Sequence, residues 1–534
     1  MDKPSLTFTM VQKLHQTGHL DEARQGYLEL LAMNPHDAAA LHWLGILYAE
    51  EGNMNEAQQY LQKAIDAAPH DSSLYLHLAN VLKAKGLLDQ AEELLLGVIR
   101  QHPHFAAAQN NLGTIYFAQQ KWREAVHAYQ SAIDIQPDYV DAYYNLGLAQ
   151  AKSSHWDEAA NAYQALIELS PEHPGGHFQL GCLLMRRNKY EQAIEHFSMI
   201  ERNYPFHFET QTNLATCYLK LGRFNEAKQH YVKALEIVPD DIQVIFNLGV
   251  INMQQGQIRD AIEHYQRTIK INPNFFEGHN NLGFIYLTMR DTSAALRHFQ
   301  EAMRIQPTNE SIRHVIDILL QKKDIKGSPS DYIRSLFDSY ADHFDAHLTQ
   351  LLRYEVPQLM YQAIQKVYPK KDKAWDILDL GCGTGLSGAL FKPMAKSLIG
   401  VDLSEKMLSV AAQKNIYDEL IQSDIMDYLA NKNAQYDLII AADVLVYFGD
   451  LTMIFPVVLQ ALKSEGYFIF NAEISDSDDY VMTSTGRFAH SKKYIEQLIH
   501  LNGFTIVNYN IATMRTQNEQ AVSGHLYLLR KYTH

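Results

Sequence analysis

A period of 34 residues runs through the first part of this 534-residue chain without one insertion or deletion. Nine of the 16 prolines keep that spacing, and an alanine stands twelve residues before each of the nine. Repetition at this length is typical of chains in which each unit buries its apolar face against the next unit. The pattern therefore predicts an array of stacked units in this part of the chain. The nine prolines are Pro35, Pro69, Pro103, Pro137, Pro171, Pro205, Pro239, Pro273 and Pro307.

Each unit is predicted to contain two helices. Twelve residues before the alanine, eight of the nine units carry a second small residue. In the fourth unit these positions are Gly113 and Ala125, which we expect where the two helices cross closely, while Tyr129 fills the space between units. Pro137 then ends the second helix, because proline lacks an N–H group and restricts the residue before it.

Composition excludes several classes of protein. Apolar residues make up 47% of the chain and charged residues 20%, which is typical of packed domains. A formal charge of −15 disfavours binding to phosphate backbones, so no nucleic acid partner is expected. Three scattered cysteines predict neither a disulfide framework nor a metal site, and they favour the cytoplasm. A signal-peptide pattern and an apolar stretch of about 18 residues are both missing, so no membrane insertion is expected.

The period, the small positions and the terminal prolines over residues 1–309 resemble the tetratricopeptide repeat (TPR). The resemblance implies an all-α superhelix of nine helix pairs, with one helix of each pair lining a concave groove. Residues 310–330 are expected to form a capping helix and a linker. Apolar residues recur at helical spacing up to residue 321, and Gly327 and Pro329 interrupt the polar segment that follows.

Asparagine occupies the same position in five repeats, and the resemblance places that position toward the groove. A side-chain amide both donates and accepts hydrogen bonds, so a ladder of amides is suited to the backbone of an extended protein or peptide segment. In a second interpretation, Asn-Leu-Gly is a common spelling of the repeat and the amide is solvated or bonded locally. The sequence leaves both interpretations open, and it leaves the oligomeric state open. The asparagines are Asn111, Asn145, Asn213, Asn247 and Asn281.

Residues 331–534 follow a different pattern. Helical spacing over residues 333–352 and 356–367 is followed by short apolar runs that alternate with helix-length segments. This alternation predicts a parallel sheet covered by helices on both faces. The predicted strands span residues 376–379, 398–402, 438–441 and 467–472, with a closing antiparallel hairpin at 505–509 and 525–529.

A glycine-rich turn follows the first predicted strand. Gly381, Gly383 and Gly385 allow a sharp turn and let a ligand approach where a Cβ atom would block it. Asp402, at the end of the second strand, is placed to bind both hydroxyls of a ribose. Asp424 follows the third strand region and is spaced to reach an adenine amino group. The three elements together predict a nucleoside-containing ligand.

These motifs resemble the class I S-adenosylmethionine-dependent methyltransferases, which have an α/β Rossmann-like fold. The resemblance implies that the glycines and the preceding Asp379 form the loop that holds the methionine part of the cofactor. It also implies the ribose and adenine roles of the two later aspartates and their neighbours. The positions implied to bind S-adenosylmethionine are Asp379, Gly381, Gly383, Gly385, Asp402, Leu403, Asp424 and Ile425.

Methyltransferases that carry TPR repeats share two further segments with this chain, residues 336–341 and 486–491. The first contains Tyr340, which either belongs to a helix that covers the sheet or lines the cofactor pocket. The second contains Arg487 and His490, for which two interpretations stay open: they close over a substrate, or they have a structural role, as a lone histidine more often does. The whole chain therefore resembles a TPR superhelix followed by a methyltransferase domain.

Methyl transfer is an in-line displacement, so alignment and exclusion of water matter most and a general base is optional. The catalytic candidates are His490, Asp443, Tyr447 and Arg487. The favoured hypothesis is methylation of a protein or peptide that the repeats recruit. Methylation of a small molecule, with the repeats used for assembly, and a non-catalytic scaffold remain as alternatives.

Overall fold

The computed structural model describes residues 7–322, 325–369, 374–483, 485–517 and 520–532. Residues 1–6 of the predicted array and residues 323 and 324 of the predicted linker lie outside the described residues. By their packing, the residues form two compact units, Met1–His264 and Tyr265–His534. The second unit therefore holds the end of the repeats as well as the sheet domain.

In the described residues, eighteen helices form nine pairs at the predicted period, which confirms the all-α repeat architecture. The second helix of each pair ends two residues before the repeated proline. The helices are α1 (Phe8–Gln16), α2 (Leu20–Met33), α3 (Ala38–Glu50), α4 (Met54–Ala67), α5 (Ser72–Ala84), α6 (Leu88–Gln101), α7 (Ala106–Ala118), α8 (Trp122–Ile135), α9 (Val140–Lys152), α10 (Trp156–Leu169), α11 (Pro174–Arg186), α12 (Tyr190–Asn203), α13 (Phe208–Lys220), α14 (Phe224–Ile237), α15 (Ile242–Gln254), α16 (Ile258–Ile271), α17 (Phe276–Thr288) and α18 (Thr292–Ile305).

Small residues allow the two helices of a repeat to cross closely. A Cβ atom added to Gly113 would lie 2.5 Å from Cε1 of Tyr129, and one added to Gly147 would lie 2.4 Å from Cε1 of Tyr163. The Tyr129 ring therefore fills the crossing within its own repeat, and it also belongs to a core cluster with Leu146 of the next repeat. Both tyrosine rings are buried.

Helix α19 (Glu310–Leu319) covers the ninth repeat, as predicted for a cap. Ile312 and Val315 on α19 are buried in one cluster with Phe299 of α18. The helix begins at Asn309, whose side chain accepts a hydrogen bond from the backbone N–H of Ile312 at 3.0 Å. None of the described helices is both long and apolar enough to cross a membrane.

The remaining residues form a nine-stranded sheet with helices on both faces, which confirms the predicted α/β class. The helices are α20 (Ser330–Tyr340), α21 (Phe344–Ala346), α22 (Val356–Val367), α23 (Leu386–Phe391), α24 (Glu405–Gln413), α25 (Ile425–Leu429), α26 (Ile454–Ala461) and α27 (Lys492–Leu501). The strands are β1 (Trp375–Leu380), β2 (Ala395–Asp402), β3 (Glu419–Gln422), β4 (Tyr436–Ala441), β5 (Leu462–Ile474), β6 (Tyr480–Met482), β7 (Phe488–His490), β8 (Phe504–Gln517) and β9 (Gln520–Lys531).

The sheet places the first five strands in the order β3-β2-β1-β4-β5, and all of them are parallel. Strand β9 pairs with β5 in the antiparallel direction, and β8 pairs with β9, so the predicted closing hairpin is present. Strands β6 and β7 form a short antiparallel hairpin, and β7 pairs in parallel with the carboxyl end of β5. This second hairpin was not predicted from the sequence.

The helix predicted over residues 333–352 is broken in the structure. Helix α20 ends at Tyr340, and α21 and a wider turn over residues 347–351 follow. In this segment Asp338 accepts a hydrogen bond from Ser404 Oγ at 2.5 Å, and Asp345 accepts one from Lys414 Nζ at 2.6 Å. These two bonds join the segment to the sheet domain, and the segment bends over that domain instead of continuing as one straight helix.

Candidate active site

A cavity of about 340 Å³ lies at the carboxyl ends of the parallel strands. This edge is where open α/β sheets bind their ligands, because the loops after adjacent strands converge there. Asp379, Gly385 and His490 are not in its lining. Ten of the predicted site residues line it: Tyr340, Gly381, Gly383, Asp402, Leu403, Asp424, Ile425, Asp443, Tyr447 and Arg487.

The glycine loop, residues 381–385, has the backbone that the sequence predicted. Gly381, Gly383 and Gly385 have φ angles of +61°, +53° and +89°, a region that L-residues with side chains avoid. A Cβ atom on Gly381 would lie 2.6 Å from Cγ2 of Val444, so this position is tightly packed. A Cβ atom on Gly383 would have, among the described residues other than its two chain neighbours, only Phe344 within 4 Å, so Gly383 leaves open space in the cavity wall.

Asp379 lies beneath the glycine loop and is 1% exposed. Its Oδ2 accepts a hydrogen bond from Tyr417 Oη at 2.7 Å, while Oδ1 has no hydrogen-bond partner in the described part of the chain. Burial raises the pKa of Asp379 to about 7, and the bond from Tyr417 opposes that shift. Asp379 is therefore held beneath the loop and does not line the cavity.

Asp402 connects the end of β2 to the glycine loop. Its Oδ2 accepts a hydrogen bond from the Gly383 N–H at 2.8 Å, and its Oδ1 accepts one from the Ser404 N–H at 2.9 Å. Burial raises the pKa of Asp402, although these backbone donors favour the charged form. Each carboxylate oxygen keeps a further lone pair, which suits a ligand that presents two hydroxyl groups.

Asp424 holds the segment that leads into α20. Its Oδ1 accepts from the Met426 N–H, and its Oδ2 accepts from Ser330 Oγ, both at 2.8 Å. The backbone N–H of Ser328 donates to the Tyr447 carbonyl at 2.9 Å. The end of the predicted linker is thus fixed across two of the loops that form the cavity.

The roof segment, residues 330–346, covers the glycine loop. Phe337, Tyr340 and Phe344 all line the cavity, and the rings of Tyr340 and Phe344 are 5.5 Å apart. Thr384 of the glycine loop donates a hydrogen bond to Asp345. Tyr340 therefore lies in the cavity wall, at the end of the helix that covers the glycine loop.

The arginine cluster, formed by Asp443, Asn471, Glu473, Arg487 and Arg515, lies at the other end of the cavity. Asp443 Oδ2 accepts from Arg487 Nη2 at 2.9 Å, and Asp443 Oδ1 accepts from Asn471 Nδ2 at 2.6 Å. Glu473 Oε1 accepts from Arg487 Nε at 2.7 Å and from Arg515 Nη2 at 2.8 Å. Burial would raise the pKa of Asp443, but the two guanidinium groups outweigh it and hold that pKa below its ordinary value.

The other two base candidates have unfavourable surroundings. His490 is fully buried, and its Nε2 is 3.0 Å from the Gly449 carbonyl oxygen. Burial lowers the pKa of His490 to about 4. Tyr447 lines the cavity, but burial raises its pKa. Neither side chain is therefore suited to take a proton from a substrate near neutral pH.

Sequence reasoning missed Arg515, Glu473 and Asn471. A register shift between Thr513 and Arg515 in the β8–β9 ladder turns both Met514 and Arg515 inward, where they are 1% and 6% exposed. Strict alternation along a strand would have assigned one of those neighbours to solvent, so the pattern carried no signal. Asn471 and Glu473 lie in an apolar strand whose pairing only the fold determines.

The predicted asparagine ladder lies at half-buried positions. Four of its five amides bond to the preceding repeat. Those four bonds are Asn145 to Asn110, Asn213 to the Cys182 sulfur, Asn247 to Tyr231 and Asn281 to Tyr265. These contacts agree with local bonding, the second interpretation of the ladder.

The described residues contain no group of three or more His, Cys, Asp or Glu side chains that could hold a metal ion.

A family model for the methyltransferase domain matches residues 378–470. Models for tetratricopeptide repeats match seven segments between residues 10 and 297: 10–72, 48–113, 113–154, 140–173, 177–207, 206–274 and 264–297.

Curated relatives resemble part of the chain. A ubiquinone biosynthesis O-methyltransferase of Thiobacillus denitrificans is 25% identical over 116 residues, which are 21% of this chain and 49% of the relative. A probable S-adenosylmethionine-dependent methyltransferase of Saccharomyces cerevisiae, CRG1, is 27% identical over 147 residues, 26% of this chain and 47% of the relative. The chain thus spans about half the length of these two curated relatives.

Among solved structures, the C-terminal part of a TPR repeat-containing protein from Cytophaga hutchinsonii is 16% identical, with a TM-score of 0.41, and covers 45% of this chain and 98% of that one. The repeat matches and the nine helix pairs agree over the first part of the chain. The domain match falls on the sheet that carries the glycine loop. The chain therefore consists of an N-terminal tetratricopeptide-repeat array followed by a C-terminal methyltransferase domain.

Proposed function

We propose that the chain transfers a methyl group from S-adenosylmethionine to a protein or peptide that the repeats recruit. The observation that carries this proposal is the convergence of the glycine loop, Asp402 and Asp424 on one cavity at the carboxyl edge of the sheet. The relative named as S-adenosylmethionine-dependent supports the choice of cofactor.

The cavity has features that suit this cofactor. Its volume of about 340 Å³ lies within the range of small-molecule sites, roughly 300–1,000 Å³. Gly383 leaves space where a side chain would project, and Asp402 offers carboxylate oxygens to a ribose diol. When bound, the sulfonium supplies an electrophilic methyl group and a neutral leaving group.

The chain's own residues then have to hold the acceptor in line and exclude water. Phe337, Tyr340 and Phe344 close the cavity from the roof segment with apolar rings. The arginine cluster holds the opposite end with charged groups that are bonded to one another. These two ends differ in chemistry, so the acceptor is expected to enter with its polar group toward the cluster.

The position of α19 supports recruitment by the repeats. A Cβ atom on Gly486 would lie 2.7 Å from Cδ1 of Ile318, so α19 packs closely on the turn that precedes Arg487. His314 of α19 also contacts Tyr332 of the roof segment, with ring centroids 4.8 Å apart. The cap of the array therefore touches both the roof segment and the hairpin that form the cavity.

Calorimetry with S-adenosylmethionine tests the cofactor assignment. We expect binding by the full chain and a loss of roughly tenfold or more in affinity in Asp402→Ala, because two buried hydrogen bonds to the ribose are removed. Arg530→Met removes an arginine that pairs with Glu465 outside the cavity lining and serves as a control, with affinity changed much less. Absence of binding, or equal binding by Asp402→Ala, contradicts the proposal.

Radiolabelled cofactor tests the class of acceptor. The full chain, incubated with a cell lysate and methyl-labelled S-adenosylmethionine, is expected to label proteins or peptides. Label found only in small metabolites contradicts recruitment of a protein acceptor. A triple change of Asn213, Asn247 and Asn281 to alanine is expected to weaken labelling if the amides hold the acceptor, and equal labelling would assign them to contacts between repeats.

A further inference from the structure

We infer that the acceptor atom is a carboxylate oxygen, held by Arg515 and Arg487, and that the product is a methyl ester. The inference rests on the proposed methyl transfer and adds the chemical class of the acceptor. It is carried by the arginine cluster, whose members come from four different strands or the loops after them.

The position of the cluster follows from the sheet order. Asp424, Asp402 and the glycine loop follow β3, β2 and β1, which lie next to one another. Asp443 follows β4, and Glu473 lies near the end of β5. The nucleoside end of the cavity is thus over β2 and β3, and the arginine cluster lies beyond the glycine loop on the side where an acceptor has to approach.

Arg515 has an unused donor in this cluster. Its side chain is 7% exposed, and Nη2 is bonded to Glu473. Nη1 is buried, lies 3.7 Å from Asp443 Oδ2 and has no hydrogen-bond partner in the described part of the chain. A buried guanidinium N–H without a partner is costly, and an acceptor oxygen in the cavity would satisfy it. Arg515 and Arg487 both line the cavity, so both guanidinium groups lie where a carboxylate in the cavity can contact them.

The cluster offers no free base. Asp443 is bonded to Arg487 and Asn471, and the guanidinium groups hold its pKa low. Burial raises the pKa of Tyr354 and of Tyr447, so both phenols stay protonated. An amine or a hydroxyl has a proton to lose on methylation, whereas a carboxylate has none near neutral pH. A carboxylate acceptor therefore needs no base at all, which fits this site.

The transfer balances without any further reactant. A lone pair of the carboxylate oxygen forms the new C–O bond, and the bond between methyl carbon and sulfur breaks with its electron pair going to sulfur. One negative and one positive charge disappear together, and no proton moves. The cluster has two arginines and two carboxylates, so its formal charge is zero, and the negative charge of the acceptor is then balanced by the positive charge of the sulfonium.

The bond that is formed distinguishes this inference from other acceptors. The full chain is incubated with cell lysate and methyl-labelled S-adenosylmethionine, and the labelled products are then treated with mild alkali. We expect most of the label to leave as volatile methanol, because esters hydrolyse under these conditions while N-methyl and methyl ether bonds persist. Label that resists alkali overturns the carboxylate acceptor and leaves methyl transfer standing. Absence of any label refutes methyl transfer and this inference with it.

Variants connect the product to the cluster. Arg515→Met is expected to lower ester formation roughly tenfold to hundredfold, the effect of one lost charge-assisted hydrogen bond, with cofactor affinity nearly unchanged. Arg515→Lys keeps the charge and is expected to retain more activity than Arg515→Met. The lysine variant therefore still tests the role of Arg515 if the methionine variant does not fold. Arg530→Met removes an arginine that pairs with Glu465 outside the cavity and is the matched control. Equal ester formation by both Arg515 variants and Arg530→Met overturns the role of Arg515.

Discussion

Replacing Arg487 with methionine isolates the contribution of the arginine cluster to stability. Arg487 is 17% exposed and donates to two carboxylates, Asp443 at 2.9 Å and Glu473 at 2.7 Å. Methionine fills much of the same space but donates nothing. Asp443 then keeps Asn471 as its bonded partner, with Arg515 at 3.7 Å, and Glu473 keeps Arg515.

Breaking a buried pair by removing one partner costs about 3–5 kcal/mol, because the remaining charge stays desolvated. We expect Arg487→Met to lose about that much stability in the sheet domain. Arg530→Met is the comparison, because its pair with Glu465 is 41% and 56% exposed and is worth about 0–1 kcal/mol. The two variants delete the same chemical group, so the difference between their losses of stability measures the effect of burial.

The stability that Arg487→Met loses relative to the native chain depends on pH. In the folded native chain the pKa of Asp443 is held below its ordinary, unfolded value. The stability that the charged carboxylate contributes is therefore complete above the ordinary pKa, and it is lost as the pH falls through the lower, folded pKa. Without Arg487, the largest charge that opposes burial is gone, so we expect the pKa of Asp443 to rise. We therefore expect the variant to gain stability relative to the native chain as the pH falls, because its carboxyl takes up a proton at a higher pH than in the native chain.

Hydrogen exchange of the β5 amides measures the stability of the sheet domain locally, without interference from the repeats. The free energy of opening is compared for the native chain, Arg487→Met and Arg530→Met, near neutral pH and at about pH 5. A deficit below about 1 kcal/mol for Arg487→Met near neutral pH would refute the reasoning from burial. A deficit that stays constant between the two pH values would refute the assignment to an unpaired carboxylate.

Three further changes have definite expected outcomes. Gly383→Ala is expected to cost about 1 kcal/mol of stability through its φ of +53° and to weaken S-adenosylmethionine binding much more, as calorimetry and thermal unfolding will show. Gly147→Ala should destabilise the array by about 1–3 kcal/mol because its methyl group meets a tyrosine ring, whereas Gly52→Ala, with open space around it, should cost about 1 kcal/mol; denaturant unfolding compares them. Burial and the neighbouring His279 lower the pKa of His298 to about 4, so array stability should fall as the pH drops below about 6.5, and thermal unfolding of His298→Gln should show a weaker pH dependence.

The repeats and the glycine loop were predictable because their signals are local. A Cβ on Gly147 meets Tyr163 within one repeat, so the small position is required again in almost every unit. The three loop glycines have positive φ angles, which few other residues accept at low cost. Helix α22 occupies the predicted residues 356–367, since both its apolar face and its ends are marked in the sequence.

The arginine cluster and the roof segment were not predictable in the same way. Asp443 and Arg487 are 44 residues apart in the chain, and Ser330 and Asp424 are 94 apart. Such contacts exist only after the strands have taken their order, and no spacing in the sequence encodes them. The inward turn of Arg515 also depends on a register shift that breaks the alternation of its strand.

The two ends of the cavity differ in how much they share with relatives. The family model covers residues 378–470, which include the glycine loop, Asp402 and Asp424. The roof segment precedes that range, and Glu473, Arg487 and Arg515 follow it. Four of the five members of the arginine cluster therefore follow the matched range, and only Asp443 lies within it. Under the proposed function the acceptor contacts this cluster, so a match limited to the shared part does not identify the acceptor of this chain.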